Sequence, residues 1–381
     1  MKKVLLIPDS FKGTLSSAEI CTIMETAIRD HFPDCRALSV PVADGGEGSV
    51  DCFLTALGGE RVTVKVKGPF FEDIEAAYGL LADGKTAVVE VASCAGLPLA
   101  EGRKNPETAT TYGVGQQLLD AAARGAERII VGLGGSATND GGCGAAAAAG
   151  VIFRDARGEA FIPTGGTLKD IVSIDVSGLD SRLSDVEMVA MCDIDNPMAG
   201  PEGAAAVFAP QKGADTAMVE RLDEGLRHLA AVIRRDLSRE VLDMSGAGAA
   251  GGMGAGMSAF FGAVLRPGIE TVLDTVGFQA LAADADWIFT GEGKLDAQSL
   301  HGKVVAGVGS RAKSLGVPVI AVVGGADPDI GEVYSRGISA VFSINRLPEA
   351  FETARYKSRE NLFLTMDNIL RLIKISDMEK R

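Results

Sequence analysis

Histidine, tryptophan and clustered cysteine are scarce in this chain. Among 381 residues there are three histidines (His31, His228 and His301) and one tryptophan, and the six cysteines show no CxxC pair and no zinc-like spacing. Zinc centres and Ser-His-Asp hydrolases both depend on histidine set among partner groups, so these mechanisms fall well behind. No run of 18 apolar residues suggests a bilayer span. The opening Met1-Lys2-Lys3 leads into only four apolar residues before Pro8, too few for a secretory signal core. Positive charge is also in deficit: 37 Lys and Arg against 51 Asp and Glu give a net charge of −14. That balance argues against a nucleic-acid or anionic-membrane surface. The expectation is a reduced, cytoplasmic protein whose anionic ligands are held by local positive groups. Oligomeric state is left open. Two common nucleotide signatures are missing as well. No GxxxxGK[ST] occurs, and the third glycine of a GxGxxG would fall on Ala137.

Glycine, by contrast, is abundant, with 48 residues against a usual share of about 7%. Its most informative cluster is GLGGSATNDGG at 132–142, between the apolar run 128–131 and an alanine-rich run to 150. The order is strand, glycine loop, helix. Such a loop lets backbone N–H groups converge on an anion, with the helix dipole behind them. Phosphate is the natural guest, with a tight packing turn as the alternative. Gly134, Gly135, Ser136, Thr138, Asn139 and Asp140 are the candidates to hold a nucleotide or its magnesium. Cys143 reads as a packing residue rather than a nucleophile, since no histidine lies near it in sequence.

The same order recurs along the chain. Residues 4–7 read as a buried strand, and Ser16-Ser17-Ala18-Glu19 as a capping box opening a helix with Ile20, Ile23, Met24, Ala27 and Ile28 on one face. Strands are expected at 37–42, 287–290, 317–323 and 340–344, and helices at 112–123, 217–237 and 304–315. A last helix carries Leu362, Met366, Ile369 and Ile373 on one side. Residues 61–66 and 87–91 suggest strands of a different sheet. Repeated βα units argue for an α/β protein with mainly parallel sheets, whose ligands sit at the carboxyl ends of strands. The expected division is one domain from 1–66 and 285–381, with 67–284 inserted as a second.

Several loops carry chemistry. Lys12, directly after the first strand, places a cation at the sheet edge that suits a carboxylate or a phosphoryl group. Asp44 and Glu47, in the next such loop, either hydrogen-bond substrate hydroxyls or cap the following helix. Asp193 and Asp195 of CDIDNP offer hard oxygens for magnesium, or else form an Asx-type turn before Pro197. Lys212 is either a phosphate-facing cation or, the preferred reading, a surface lysine. The glycine cluster at 245–257 is either a second anion nest or a close-packing site. Thr108, Thr110 and Thr111 read first as helix caps. In TGEGKLDAQS (290–299), followed by His301 and Lys303, lysines neutralise phosphate while an acid orients or deprotonates a hydroxyl.

The blocks PDSFKGTLS (8–16), DGGEGS (44–49), GLGGSATNDGG (132–142), CDIDNP (192–197), FAPQKGA (208–214), GAGAAGGMG (246–254) and TGEGKLDAQS (290–299) resemble, in order and spacing, the bacterial glycerate kinases of the first type. Departures are small: Ser49 and Ser299 stand where threonine is expected, and Thr14 where serine is common. The resemblance implies two α/β domains, one flavodoxin-like, with the active site in the cleft between them. It implies ATP- and magnesium-dependent phosphorylation of D-glycerate, usually on the 2-hydroxyl. On that reading Asp9, Ser10, Lys12, Asp44 and Glu47 bind the substrate. Lys12, Asp193, Lys294 and Asp296 carry the transfer, with Asp193 and Asp296 both candidates for the base and Lys303 an alternative to Lys294. Asp193 and Asp195 hold magnesium, and the 134–140 loop cradles the ATP phosphates. A kinase for another small hydroxy acid and a non-catalytic nucleotide-binding protein are the alternatives.

Overall fold

The protein is described from a computed structural model that covers residues 1–42, 46, 48–296 and 303–379, with side chains described as far as Ile375. Eleven strands of the described residues build two main sheets: β1 (Lys3–Pro8), β2 (Arg36–Ser39), β3 (Gly59–Lys67), β4 (Asp73–Leu81), β5 (Thr86–Glu90), β6 (Arg128–Gly132), β7 (Glu187–Met191), β8 (Val264–Arg266), β9 (Trp287–Gly291), β10 (Val319–Val323) and β11 (Ile338–Ser343). The helices used below are α1 (Ser17–His31), α2 (Tyr112–Ala123), α3 (Cys143–Ala148), α4 (Thr216–Leu237), α5 (Ala249–Phe261), α6 (Val304–Leu315) and α7 (Ser358–Glu379).

The chain divides into two compact units. The first comprises Met1–Asp44, Thr55–Leu57 and Pro267–Arg381, and the second comprises Gly45–Leu54 and Gly58–Arg266. The expected boundaries at 66/67 and 284/285 differ from this division. β3 pairs with β4 in the second unit's sheet, so 59–66 belong there, and 267–284 go with the chain ends.

In the first unit all five strands run parallel in the order β2-β1-β9-β10-β11. Counted within the unit this is 2-1-3-4-5, the flavodoxin-like arrangement, whose switch point lies between β1 and β9. Val4, Leu5, Leu6 and Ile7 are all fully buried. A central parallel strand covered on both faces reads as a continuous apolar run. Ser16 caps α1 with both halves of the capping box formed. The apolar face of α1 packs with Leu362, Met366, Ile369 and Ile373 of α7 over β1 and β9. Each such side chain contributes about 1.5–3 kcal/mol on burial.

In the second unit the order is β8-β7-β6-β5-β4-β3. β5 to β8 are parallel, and β4 and β3 extend the sheet as an antiparallel hairpin. Asp215 caps α4 through Met218 N–H at 2.8 Å, and Leu222, Leu226, Leu229 and Ile233 form its buried stripe. Cys143 lies in the core with its thiol pushed up by burial, which fits a packing role. No helix among the described residues is long and apolar enough to cross a membrane.

Candidate active site

In the first unit the geometry begins at the switch point. Pro8 stands opposite Gly291, and Asp9 N–H donates to Gly291 O at 2.8 Å. Beyond β1 the chain turns tightly: Phe11 N–H donates to Leu15 O at 2.8 Å and Thr14 Oγ1 to Phe11 O at 2.9 Å. Buried Phe11 anchors this turn and leaves Lys12 exposed, with Asp9 and Ser10 half-buried. Asp9 Oδ1 accepts from Ser10 N–H at 2.6 Å. The loop after β9 meets it, since a Cβ placed on Gly293 would lie 3.3 Å from Lys12 N and 3.4 Å from Phe11 Cα. This second loop carries buried Glu292, exposed Lys294 and half-buried Asp296. Lys294 Nζ sits 3.1 Å from Asp327 Oδ2, and Lys303 Nζ 3.7 Å from Asp296 Oδ1. Asp9, Ser10, Lys12, Lys294 and Asp296 are thus gathered on one carboxyl edge. Asp44 and Glu47 lie outside the described residues, as do Gln298, Ser299 and His301.

A second locus follows β6 in the other unit. Leu133 N–H donates to Met191 O, so the loop leaves the sheet beside the end of β7. Gly134 is half-buried and Gly135 exposed with φ 74°, whereas Ser136, Thr138, Asn139 and Asp140 are all buried. Its accessible edge is therefore backbone. Asp140 faces inward and organises the turn. Its Oδ2 accepts from Thr111 N–H at 2.8 Å, Thr111 Oγ1 at 2.9 Å and Gly144 N–H at 3.2 Å, and its Oδ1 accepts from Gly142 N–H at 3.1 Å. Burial raises its carboxyl above the ordinary range, and these donors oppose the rise. Thr111 forms no side-chain cap on α2, contrary to expectation, because its hydroxyl is bound to Asp140 and accepts from Ala145 N–H at 2.9 Å.

Lys212 was expected at the surface, but it is buried beneath this loop. Its Nζ donates to Ser136 Oγ at 3.0 Å and to Thr138 O at 2.7 Å. Desolvation pushes its pKa down to about 7, with the Asp140 charge pulling the other way. One sequence signal was available: Lys212 is the only charged residue between Glu202 and Asp215. The linkage has a definite sign. Between about 7 and the lysine's ordinary 10.5 the unfolded chain binds the extra proton, so stability contributed by this group rises with pH. Chemical denaturation between pH 7 and 10 should show that rise, and it should flatten in Lys212→Met; an unchanged slope would contradict the burial argument.

Asp193 and Asp195 are exposed just beyond β7. Asp195 Oδ1 accepts from Ser245 Oγ at 2.8 Å, and Asn196 Nδ2 donates to Glu202 O at 2.7 Å. Among the described residues no group of three or more His, Cys, Asp or Glu encloses a metal position. A pair of exposed carboxylates fits magnesium, which takes one or two carboxylates and completes its shell with phosphate and water. The 245–257 glycines are close-packing positions. Cβ atoms on Gly248, Gly251 and Gly256 would stand 2.4 Å from Pro197 O, 2.0 Å from Thr138 O and 2.2 Å from Gly141 O.

Residues 4–374 match the profile of the glycerate kinase family. The chain is similar to the glycerate kinase of Bacillus cereus, at 45% identity over 98% of each chain. It is also 45% identical to the glycerate 2-kinase of Escherichia coli, over 92% of this chain and 94% of that one. A crystal structure from Salmonella typhimurium LT2, provisionally assigned as a glycerate kinase 2, matches with a TM-score of 0.88 and 43% identity over 99% of both chains.

Proposed function

Because the chain belongs to the glycerate kinase family, we propose that it transfers the terminal phosphoryl group of ATP to D-glycerate, giving 2-phosphoglycerate. The observation that carries this reading is a family match over residues 4–374 on a chain whose two carboxyl edges bear complementary chemistry. One edge offers cations and acids, and the other a backbone loop beside paired carboxylates.

Glycerate is a small carboxylate with two adjacent hydroxyls. Lys12 answers its carboxylate and also neutralises charge on the transferring phosphoryl group, while Asp9 and Ser10 hold the hydroxyls; Asp44 and Glu47 complete the set proposed from the sequence. The Gly134–Gly135 backbone receives the nucleotide phosphates, with Asp140 holding the turn from inside. Asp193 and Asp195 would hold magnesium, which supplies positive charge to the phosphate oxygens. The acceptor hydroxyl oxygen forms a bond to the terminal phosphorus as the bond from that phosphorus to the bridging oxygen breaks, and ADP leaves. Asp296 takes the hydroxyl proton, and Lys294 neutralises charge building on the phosphoryl oxygens. Such catalysis rests mainly on positioning and charge neutralisation. Phosphorus NMR of the purified protein with ATP, magnesium and D-glycerate tests the reading, because it reports turnover and product together. A 2-phosphoglycerate resonance supports it, and absence of glycerate-dependent ATP consumption refutes it.

A further inference from the structure

We propose that Lys212 is a positioning residue for the nucleotide: held beneath the 136–138 turn, its side chain fixes the exposed Gly134–Gly135 edge that receives the phosphates. This deepens the function proposed above and rests on it.

The first argument is geometric. Only the start of the loop after β6 reaches the surface, since Ser136 to Asp140 are buried. The accessible backbone is therefore only as well placed as the buried turn behind it. Two groups hold that turn from different elements. Asp140 ties its far end to Thr111, Gly142 and Gly144. Lys212 ties its near end through Ser136 Oγ and Thr138 O. Ser136 is the residue directly after Gly135, so displacement there moves the exposed edge. Lys212 is itself locked. It ends the short turn Pro210–Lys212, and Gly213 follows with φ 98° at a position where a Cβ would stand 2.8 Å from Lys104 O.

The second argument is energetic. Among the described residues no carboxylate comes within salt-bridge distance of Lys212; the Asp140 charge favours its ammonium from farther away and is outweighed by the burial. Taking an ammonium out of water is costly, and an apolar side chain of similar volume often serves stability equally well. The same turn buries Thr138 Oγ1 and both polar atoms of the Asn139 amide without a hydrogen-bond partner. A turn assembled against such costs is organised for something other than stability. A fixed anion-receiving edge provides that reason, and the lysine's depressed pKa reflects the same burial.

The test uses the full-length enzyme and steady-state kinetics with both substrates, together with thermal melts. Wild-type turnover of ATP and D-glycerate is measured first, because its failure removes the proposed reaction rather than this inference. Lys212→Met fills the volume without the donors. It should raise KM for ATP by about 10- to 100-fold while KM for glycerate stays within about 2-fold and Tm moves by a few degrees at most. Unchanged KM for ATP, or a parallel loss in both KM values and Tm, overturns the assignment. Ser136→Ala removes only one acceptor of the lysine and keeps the proposal testable if the methionine variant does not fold. It should raise KM for ATP selectively, and equal KM values for wild type and variant count against the role. Where both variants fold, the double variant should cost less than the sum of the singles, since both act through one contact; strict additivity contradicts it.

Discussion

Lys12→Ala is expected to lower kcat by about 10³-fold, by the scale of removing a single cation from a phosphoryl-transfer site, while leaving thermal unfolding unchanged. The two halves of this expectation come from different features. Lys12 is exposed on a turn anchored by buried Phe11 and by the Phe11–Leu15 hydrogen bonds, so truncation leaves no cavity. Its position at the switch point, beside the loop carrying Glu292, Lys294 and Asp296, is where an open parallel sheet presents ligands. Steady-state kinetics paired with a melt by circular dichroism decides the matter. A folded variant with near-wild-type kcat removes Lys12 from the site.

Gly251→Ala is expected to be among the most damaging small substitutions in the second unit. Gly251 has φ +68°, and an added Cβ would stand 2.0 Å from Thr138 O and 2.6 Å from Asn139 Cα. Both neighbours are backbone, so no rotamer change relieves the overlap. Gly251 O also accepts from Gly141 N–H, which ties α5 to the loop after β6. Left-handed strain and overpacking together should cost about 2–4 kcal/mol. That corresponds to a fall on the order of 10 °C in the transition of a unit this size. The matched control is Gly262→Ala, with φ +67° and nothing within 4 Å of the added atom. It should lose only about 1 kcal/mol. Melts of the two variants side by side separate packing from backbone strain, and equal losses would contradict the close approach.

Much of this architecture was legible in the sequence, for reasons that particular residues make clear. The helix expected at 304–315 is α6, Val304–Leu315, and that expected at 112–123 is α2, Tyr112–Ala123, because apolar periodicity and bounding glycines mark helix limits directly. The capping box at Ser16 and Glu19 formed as read. Strand edges were less legible: the strand expected at 37–42 is Arg36–Ser39, although Val40 N–H still donates to Leu6 O at 2.8 Å and Val42 N–H to Pro8 O at 3.3 Å. The boundary at 66/67 differs for another reason: 61–66 reads as a strand of a different sheet, and it pairs there with β4, yet the boundary left it with the chain ends.

In these loops, residue type does not give the direction of each side chain. Asp140 and Asn139, read from the sequence as candidates to hold a nucleotide, are fully buried. Lys212 looked solvated and is not. Orientation depends on partners distant in sequence, such as Thr111 for Asp140 and Ser136 for Lys212. No local pattern records them.

The most direct test of the central claim is phosphorus NMR of the purified protein incubated with ATP, magnesium and D-glycerate. The account predicts glycerate-dependent conversion of ATP to ADP with a 2-phosphoglycerate resonance. A 3-phosphoglycerate resonance in its place would contradict the proposed regiochemistry, and ATP left intact in the presence of glycerate would contradict the proposed reaction itself.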